Sequence, residues 1–180
     1  MKKMIYALVL AVTVTAQAYS QEKASDAAKI FVGFTDGSVE FPVTNRQGVN
    51  GSIQFRLYGY EGVKLEAVGD FAAFLPSDYP KVYTYLAGPQ VGIDLFEGRF
   101  NPFARVMFGI ARVNGLSYYT HSVGGGLDIN VSKHFGIRPI QYDIQSINSD
   151  GQRFQRISAG LYLRFGKGYE VQGKRSKVLP

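Results

Sequence analysis

A few side chains in this chain carry chemistry that catalysis or ligand binding could use. His121 and Ser122 are adjacent, and they are the residue types of a general base and a nucleophile. Neighbouring residues of a β-strand point to opposite faces, so we do not expect this imidazole and this hydroxyl to form a nucleophile–base pair. His134 lies in a predicted turn, where we expect it to be solvated. No catalytic residue is therefore assigned.

The donor set for metals and cofactors is equally sparse. The chain has no cysteine and only two histidines, which lie far apart. Disulfides, thiolate metal sites and a lipid-anchoring cysteine are thus excluded, and no metal or cofactor is expected. The run Gly124-Gly125-Gly126 falls in the middle of a predicted strand, not before a helix, so it is not a phosphate-binding loop.

Charged residues remain, and their positions are regular. They alternate with apolar residues along the predicted strands, which places them on one face. The carboxylates of this face are Glu66, Asp70, Asp94, Asp128 and Asp143, and its cations are Arg56, Lys64, Arg105, Arg138, Arg156 and Arg164.

The strands that position these charges repeat at a nearly constant length. The last one, 153–166, shows the pattern most clearly, because apolar residues occupy every second position from Ile157 to Phe165. About ten residues of such a strand, tilted by about 45°, cross the hydrocarbon of a bilayer. Seven similar segments precede it, and the predicted strands are 28–35, 50–58, 63–74, 82–95, 102–113, 119–131, 135–147 and 153–166. A long loop is predicted for 36–49.

Two prolines interrupt this pattern. Pro89 and Pro139 fall inside predicted strands, although a closed barrel has no edge strand to place them on. The apolar parity switches after Pro139, which is what a β-bulge produces, and we expect a bulge at both prolines.

Alternation does not by itself say which face points inward. The polar faces carry small residues that a narrow lumen requires, namely Gly92, Gly109, Gly124, Gly126, Gly136 and Gly160. Aromatic residues gather near strand ends, as in the girdles of membrane barrels, namely Phe34, Tyr58, Tyr83, Tyr85, Phe103, Tyr118, Tyr119, Phe135 and Phe165. The second, fourth and sixth connections are predicted to be short and the odd-numbered ones are not all long, and we expect long outer loops to alternate with short periplasmic turns. These features predict an all-β, eight-stranded antiparallel up-and-down transmembrane β-barrel.

The runs 123–128, 135–143 and 156–166, together with 85–89 and 101–103, resemble the outer-membrane protein A-like and small porin-like barrel families. The resemblance covers about 28–166 and implies fold and location but no catalytic residues. It implies a Gram-negative-type cell envelope, outer-membrane lipids as surroundings, and barrel-assembly machinery and periplasmic chaperones as partners. Fifteen residues follow Phe165, too few for the peptidoglycan-binding domain of larger family members.

The two ends of the chain have their own predictions. Lys2 and Lys3 precede an apolar stretch that is too short to span a membrane, and Ala16-Gln17-Ala18 fits a cleavage site, with 18–20 as an alternative. We therefore expect a signal peptide at 1–20, a periplasmic lead-in at 21–27, the outer-membrane barrel at 28–166 and a short basic periplasmic tail at 167–180. Both termini of the barrel should lie on the periplasmic side.

The charged face leaves two interpretations of the lumen. It is either a charged pore constriction or a salt-bridged network that fills the barrel, and the narrow bore with both signs present favours the network. The leading hypothesis is an outer-membrane barrel with a structural or surface-interaction role, and it names no extracellular ligand. The alternatives are a small porin-like channel, a soluble periplasmic ligand-binding barrel and a lipid-modifying enzyme. The 20 basic residues are dispersed among 14 acidic ones, so nucleic acid is not expected as a partner.

Overall fold

The computed structural model of the chain describes residues 27–39, 44–60, 62–74, 81–147 and 152–166. It contains eight strands: β1 (Ala28–Val39), β2 (Thr44–Tyr60), β3 (Val63–Phe74), β4 (Val82–Ile93), β5 (Phe100–Val113), β6 (Leu116–Asn130), β7 (Phe135–Ile147) and β8 (Gln152–Phe165). No helix in these ranges is long and apolar enough to cross a membrane. The predicted signal peptide and basic tail lie outside the described residues.

The strands close into one antiparallel barrel in sequence order. β1 pairs with β8 over its whole length, from Ala28 opposite Phe165 to Val39 opposite Phe154. Because no strand edge remains unpaired, the predicted eight-stranded up-and-down barrel is confirmed. We call the end that carries Ala28 and Phe165 the terminal end, and the opposite end the far end.

The predicted contrast between long and short connections is wrong. The bounds of the strands leave 4, 7, 2 and 4 residues between consecutive strands at the far end, against 2, 6 and 4 at the terminal end. The predicted long loop at 36–49 is mostly strand, since Asp36 pairs with Gln47 and the ladder continues to Val39 and Thr44. Gly, Pro and Asn in this segment suggested a loop, but cross-strand pairing outweighs the weak strand propensity of those residues.

The two prolines differ from each other. The β7–β8 register shifts between Arg138 and Gln141, so the bulge predicted at Pro139 is present. At Pro89 the prediction is wrong: the ladder to β5 skips Gly88 and Pro89 and resumes in the same register. The β4–β5 pairing is interrupted at the proline, so β4 accommodates it without the extra residue of a bulge.

A further bulge was not predicted. The β2–β3 register shifts between Arg56 and Tyr58. Strict alternation from Gln54 and Arg56 would place Tyr58 on the polar face, but the shift turns it outward, where it is exposed. It thereby joins Phe55 and Tyr60 on the outer surface near the terminal end.

The distribution of polar and apolar side chains is the reverse of that in a soluble barrel. Apolar side chains cover the outer wall, and about half of the surface of each is exposed along β8, where Ile157, Leu161 and Leu163 project outward. The inward positions of the same strand, Arg156 and Ser158, are fully buried. The polar face therefore lines the lumen, as predicted.

Inward glycines make room for large lumen side chains. A Cβ at Gly126 would collide with the Phe103 ring, and one at Gly136 would collide with the ring of Tyr162. A Cβ at Gly124 would overlap a carboxylate oxygen of Asp143. Each of these large side chains therefore lies over an inward glycine with which it is paired on the neighbouring strand.

The outward assignment of Leu161 gives a direct test. Leu161 is the central residue of the five outward apolar positions on β8, so Leu161→Arg places a charge in the middle of the apolar belt. We expect the variant to lose about 2–4 kcal/mol of unfolding free energy in lipid vesicles. The measurement is a urea titration followed by heat-modifiable migration.

Two controls accompany it. Leu161→Met should cost less than about 1.5 kcal/mol, because it keeps an apolar side chain of similar volume. Ser158→Arg should also lower the unfolding free energy, but for a different reason, because it places a large side chain at a buried position in the lumen. If Leu161→Arg refolds with the stability of the unsubstituted chain, the assignment of faces is inverted.

Candidate functional site

The candidate site is the lumen itself, and its centre is a group of four charged side chains from four strands. Asp70 of β3, Arg105 of β5, Asp143 of β7 and Arg156 of β8 point inward and meet across the bore. All four side chains are completely inaccessible to solvent. We call them the charge quartet.

The quartet forms a closed ring of alternating sign. The guanidinium of Arg105 donates from Nε and Nη2 to the two carboxylate oxygens of Asp143, at 2.9 and 2.8 Å. Arg156 donates from Nη2 to Asp143 at 2.9 Å and from Nη1 to Asp70 at 2.8 Å. An Arg105 Nη2–Asp70 contact of 3.3 Å closes the ring.

This geometry neutralises charges that could not otherwise be buried. An arginine stays protonated in a protein, so its charge must be met by partners and not removed by titration. Two guanidinium groups and two carboxylates give the quartet a net charge of zero. Two-point contacts between arginine and carboxylate also fix the orientation of the side chains.

A second ion pair lies closer to the terminal end. Arg138 donates from Nε and Nη2 to the carboxylate of Asp128, at 2.6 and 3.0 Å. The Arg138 guanidinium lies between two rings, with its Cζ 4.4 Å from the centroid of Phe31 and 4.5 Å from that of Phe103. Cation–π contacts of this kind stabilise a desolvated cation.

Glutamine side chains and one lysine join these groups into a continuous network. Gln141 accepts from Arg138 Nη1 at 2.7 Å and donates to Asp143 at 2.8 Å, which connects the Asp128–Arg138 pair to the quartet. Lys29 Nζ lies 3.0 Å from Glu66 and 3.6 Å from Asp128. The chain of polar contacts therefore runs along much of the barrel axis.

The two ends of the lumen differ. Toward the far end the interior contains an apolar cluster, in which Phe74 and Phe154 meet edge to face with centroids 4.9 Å apart, beside buried Ala72 and Val82. At the terminal end it is polar, with Lys64 in an ion pair with Asp94 and within 3.1 Å of Asn101 Oδ1.

Most of the charged residues predicted to face the lumen do so, and the rest lie at its terminal end. Arg56 is only half-buried. Arg164 donates to the backbone oxygen of Lys133 at 2.9 Å. Lys29 was missed, although the alternation of β1 places it opposite the apolar face of Ile30 and Val32.

One aromatic prediction is wrong. Phe103 was assigned to the interfacial girdle, but it is buried in the lumen against Arg138. Strand alternation could have predicted this position, because Phe103 lies two residues before Arg105 on β5 and therefore on the same face. Its aromatic side chain suggested the girdle instead.

The candidate catalytic residues are not brought together. His121 is exposed on the outer wall, whereas Ser122 is buried in the lumen, as strand alternation predicts. His134 is exposed in the connection between β6 and β7. In the described ranges no group of three His, Asp or Glu side chains has the arrangement of a metal site.

Comparison with solved structures identifies the fold. Neisserial surface protein A matches 80% of this chain and all of its own chain at 17% identity, with a TM-score of 0.59. The attachment invasion locus protein Ail of Yersinia pestis matches 78% of this chain and 99% of its own at 17% identity, with a TM-score of 0.57. The N-terminal β-barrel domain of OprF from Pseudomonas aeruginosa matches 79% and 100%, at 11% identity and a TM-score of 0.53.

These neighbours confirm that the chain has the fold of the small transmembrane outer-membrane barrels. No protein-family model matches the sequence, and no curated protein matches it significantly.

Removing one carboxylate from the quartet should lower stability more than removing a carboxylate and an arginine together. Asp143→Ala leaves Arg105 and Arg156 with Asp70 as their only quartet carboxylate, so we expect a loss of about 3–5 kcal/mol of unfolding free energy. The double variant Asp143→Ala/Arg105→Met restores neutrality and should recover part of that loss. The measurement is the denaturant midpoint of each variant in lipid vesicles. Equal midpoints for Asp143→Ala and the unsubstituted chain would contradict a stabilising role of Asp143 in the quartet.

Proposed function

We propose that this chain is an integral outer-membrane barrel with a structural role, whose lumen is closed to ions and solutes by its own side chains. The charge quartet carries this proposal, because it crosses the bore with four side chains that solvent does not reach. An eight-stranded barrel has an interior just wide enough to be filled in this way.

The outer wall supports the membrane location. Large apolar side chains are exposed on all sides of the barrel, among them Val32, Ile53, Val91, Phe108, Ile144 and Leu161. A monomeric soluble protein rarely exposes an apolar surface of this extent. The alternative of a soluble ligand-binding barrel would need those side chains inside, where the lumen instead holds arginines and carboxylates.

A structural role is favoured over loop-mediated recognition by the short connections. The far end, which would face outward, has strand connections of only 2 to 7 residues. Loops are where binding residues of a rigid barrel usually lie, and connections of this length provide few residues for such a role. We therefore propose the surrounding lipids as the main partner, with assembly machinery and chaperones acting during insertion.

A porin-like channel is the alternative that a measurement must separate from this proposal. A pore requires a continuous aqueous path, whereas here the apolar cluster around Phe74 and Phe154 adds a second barrier at the far end. A lipid-modifying enzyme is disfavoured, because His121 and Ser122 lie on opposite sides of the wall.

Conductance and stability together test the closed lumen. We expect negligible planar-bilayer conductance from the unsubstituted barrel. Asp128→Ala leaves buried Arg138 without its two-point partner, so it should lower the unfolding free energy by about 3–5 kcal/mol and raise ion flux.

Ser122→Ala is the matched lumen control, because Ser122 is also buried on β6 but carries no charge. It should change conductance little. A large and steady conductance of the unsubstituted barrel, with Asp128→Ala unchanged in stability, would favour a pore.

Orientation is a separate prediction. β1 begins and β8 ends at the same end of the barrel, so an even strand number should leave both chain termini in the periplasm. An epitope tag after Pro180 should be inaccessible to antibody on intact cells and accessible after permeabilisation. Labelling of the tag on intact cells would reverse the proposed orientation.

A further inference from the structure

A groove on the outer wall combines cations with aromatic rings. It has a volume of about 430 Å³ and lies where β4 and β5 approach the far end. Its lining residues are Lys81, Tyr83, Tyr85, Arg112, Asn114 and Gly115.

Strand geometry explains why these side chains converge. Lys81, Tyr83 and Tyr85 alternate with the inward residues Val82 and Thr84, so they project outward from one strand. Arg112 is paired directly with Tyr83 across the β4–β5 ladder, so it shares this outer face. The rings of the groove are supported from β3.

The aromatic side of the groove is held in place by Phe71. Its ring lies 5.2 Å from the ring of Tyr85 and 6.5 Å from that of Tyr83, centroid to centroid. Such ring pairs stabilise a fixed arrangement of the side chains. The tyrosines therefore form a preformed wall.

The two cations, Lys81 and Arg112, form no ion pair with an acidic side chain in the part of the chain that the structure describes. Both side chains are exposed. The lumen cations, in contrast, contact carboxylates in several ion pairs. The groove consequently presents a local positive charge on an otherwise apolar wall.

The level of the groove along the barrel axis indicates which anion fits. Lys81 directly precedes β4 and Arg112 lies near the far end of β5. Both are exposed, and the outward positions further along the two strands carry large apolar or aromatic side chains, including Tyr85, Ile110 and Phe108. An anionic group attached to an apolar tail matches this order, with the charge at the cations and the tail along the wall. Lipid phosphate groups are attracted to cations at a membrane surface in the same way.

We propose that this groove binds the phosphate group of an anionic lipid in the leaflet at the far end of the barrel. Lys81 and Arg112 contact the phosphate oxygens, and the acyl chains lie over Tyr85 and Phe108. Arginine is well suited to this contact, because its planar guanidinium matches the geometry of phosphate. This inference rests on the proposed membrane location and adds a preferred lipid to it.

The chain contains no tryptophan, so a single introduced indole reports on its own surroundings. Phe108→Trp places the reporter on the wall below the groove, and Leu161→Trp places one on β8, away from it. Each variant is refolded into vesicles of phosphatidylcholine that contain increasing fractions of brominated phosphatidylglycerol. The reverse mixture, brominated phosphatidylcholine with plain phosphatidylglycerol, gives the reference quenching curve.

The preference for the anionic lipid should be stronger at the groove than on the other side of the barrel. We expect the ratio of affinities, phosphatidylglycerol over phosphatidylcholine, to be at least about fivefold higher for Phe108→Trp than for Leu161→Trp. In the Phe108→Trp background, Lys81→Gln and Arg112→Gln should each lower the affinity ratio by about fivefold, or to the value measured with Leu161→Trp. Arg153→Gln is the matched control, because Arg153 is an exposed cation near the far end of β8, and it should leave the ratio unchanged.

Each other outcome contradicts a defined part of the inference. Equal ratios for the two reporters, or a preference that survives Lys81→Gln/Arg112→Gln, would overturn the groove as a lipid site. Loss of the preference when inorganic phosphate is added at low ionic strength, but not with chloride, would identify a free-phosphate site and overturn the lipid. If brominated phosphatidylcholine fails to quench Leu161→Trp, the barrel is not in the bilayer, and the proposed function itself fails.

Discussion

The structure depends on the pairing of arginine with carboxylate inside a narrow bore that solvent reaches poorly. A guanidinium remains charged at any ordinary pH, so each buried arginine requires fixed partners around it. Arg105 and Arg156 meet this requirement by sharing Asp143 and Asp70, and Arg138 meets it with Asp128 and two aromatic rings. Burying such pairs contributes little net stability compared with an apolar filling. Their effect is to specify one arrangement of the strands, because a shifted register would leave charges unpaired.

The shape of the wall follows from the size of these side chains. Large inward side chains fit within an eight-stranded barrel where a neighbouring strand carries glycine. Gly124 lies against Asp143, Gly126 against Phe103 and Gly160 against Phe31, and in each case a Cβ would overlap the facing group. The glycines weaken the strands in which they lie. Closure of the barrel compensates for this weakness, because every strand is paired on both sides.

The barrel is polar inside and apolar outside, yet neither surface is uniform. Inside, an apolar cluster that includes Phe74 and Phe154 lies toward the far end, whereas lysine, asparagine and aspartate side chains occupy the terminal end. Outside, the apolar belt gives way near the far end to Lys81 and Arg112 beside tyrosines. These two asymmetries coincide at the same end of the molecule. They give the barrel a defined direction along its axis.

The sequence by itself determined the strands and their faces, because alternation is a local property that each segment carries independently. It placed Arg105, Arg138, Arg156, Asp70 and Asp143 inside, and the parity switch revealed the bulge at Pro139. Tertiary structure decided what depends on the neighbouring strand: the ladder through 36–49, the unshifted register at Pro89 and the outward turn of Tyr58. It also decided which charges meet. Asp70 and Arg156 are 86 residues apart, and their contact follows from the stagger of the closed barrel, which no local pattern encodes.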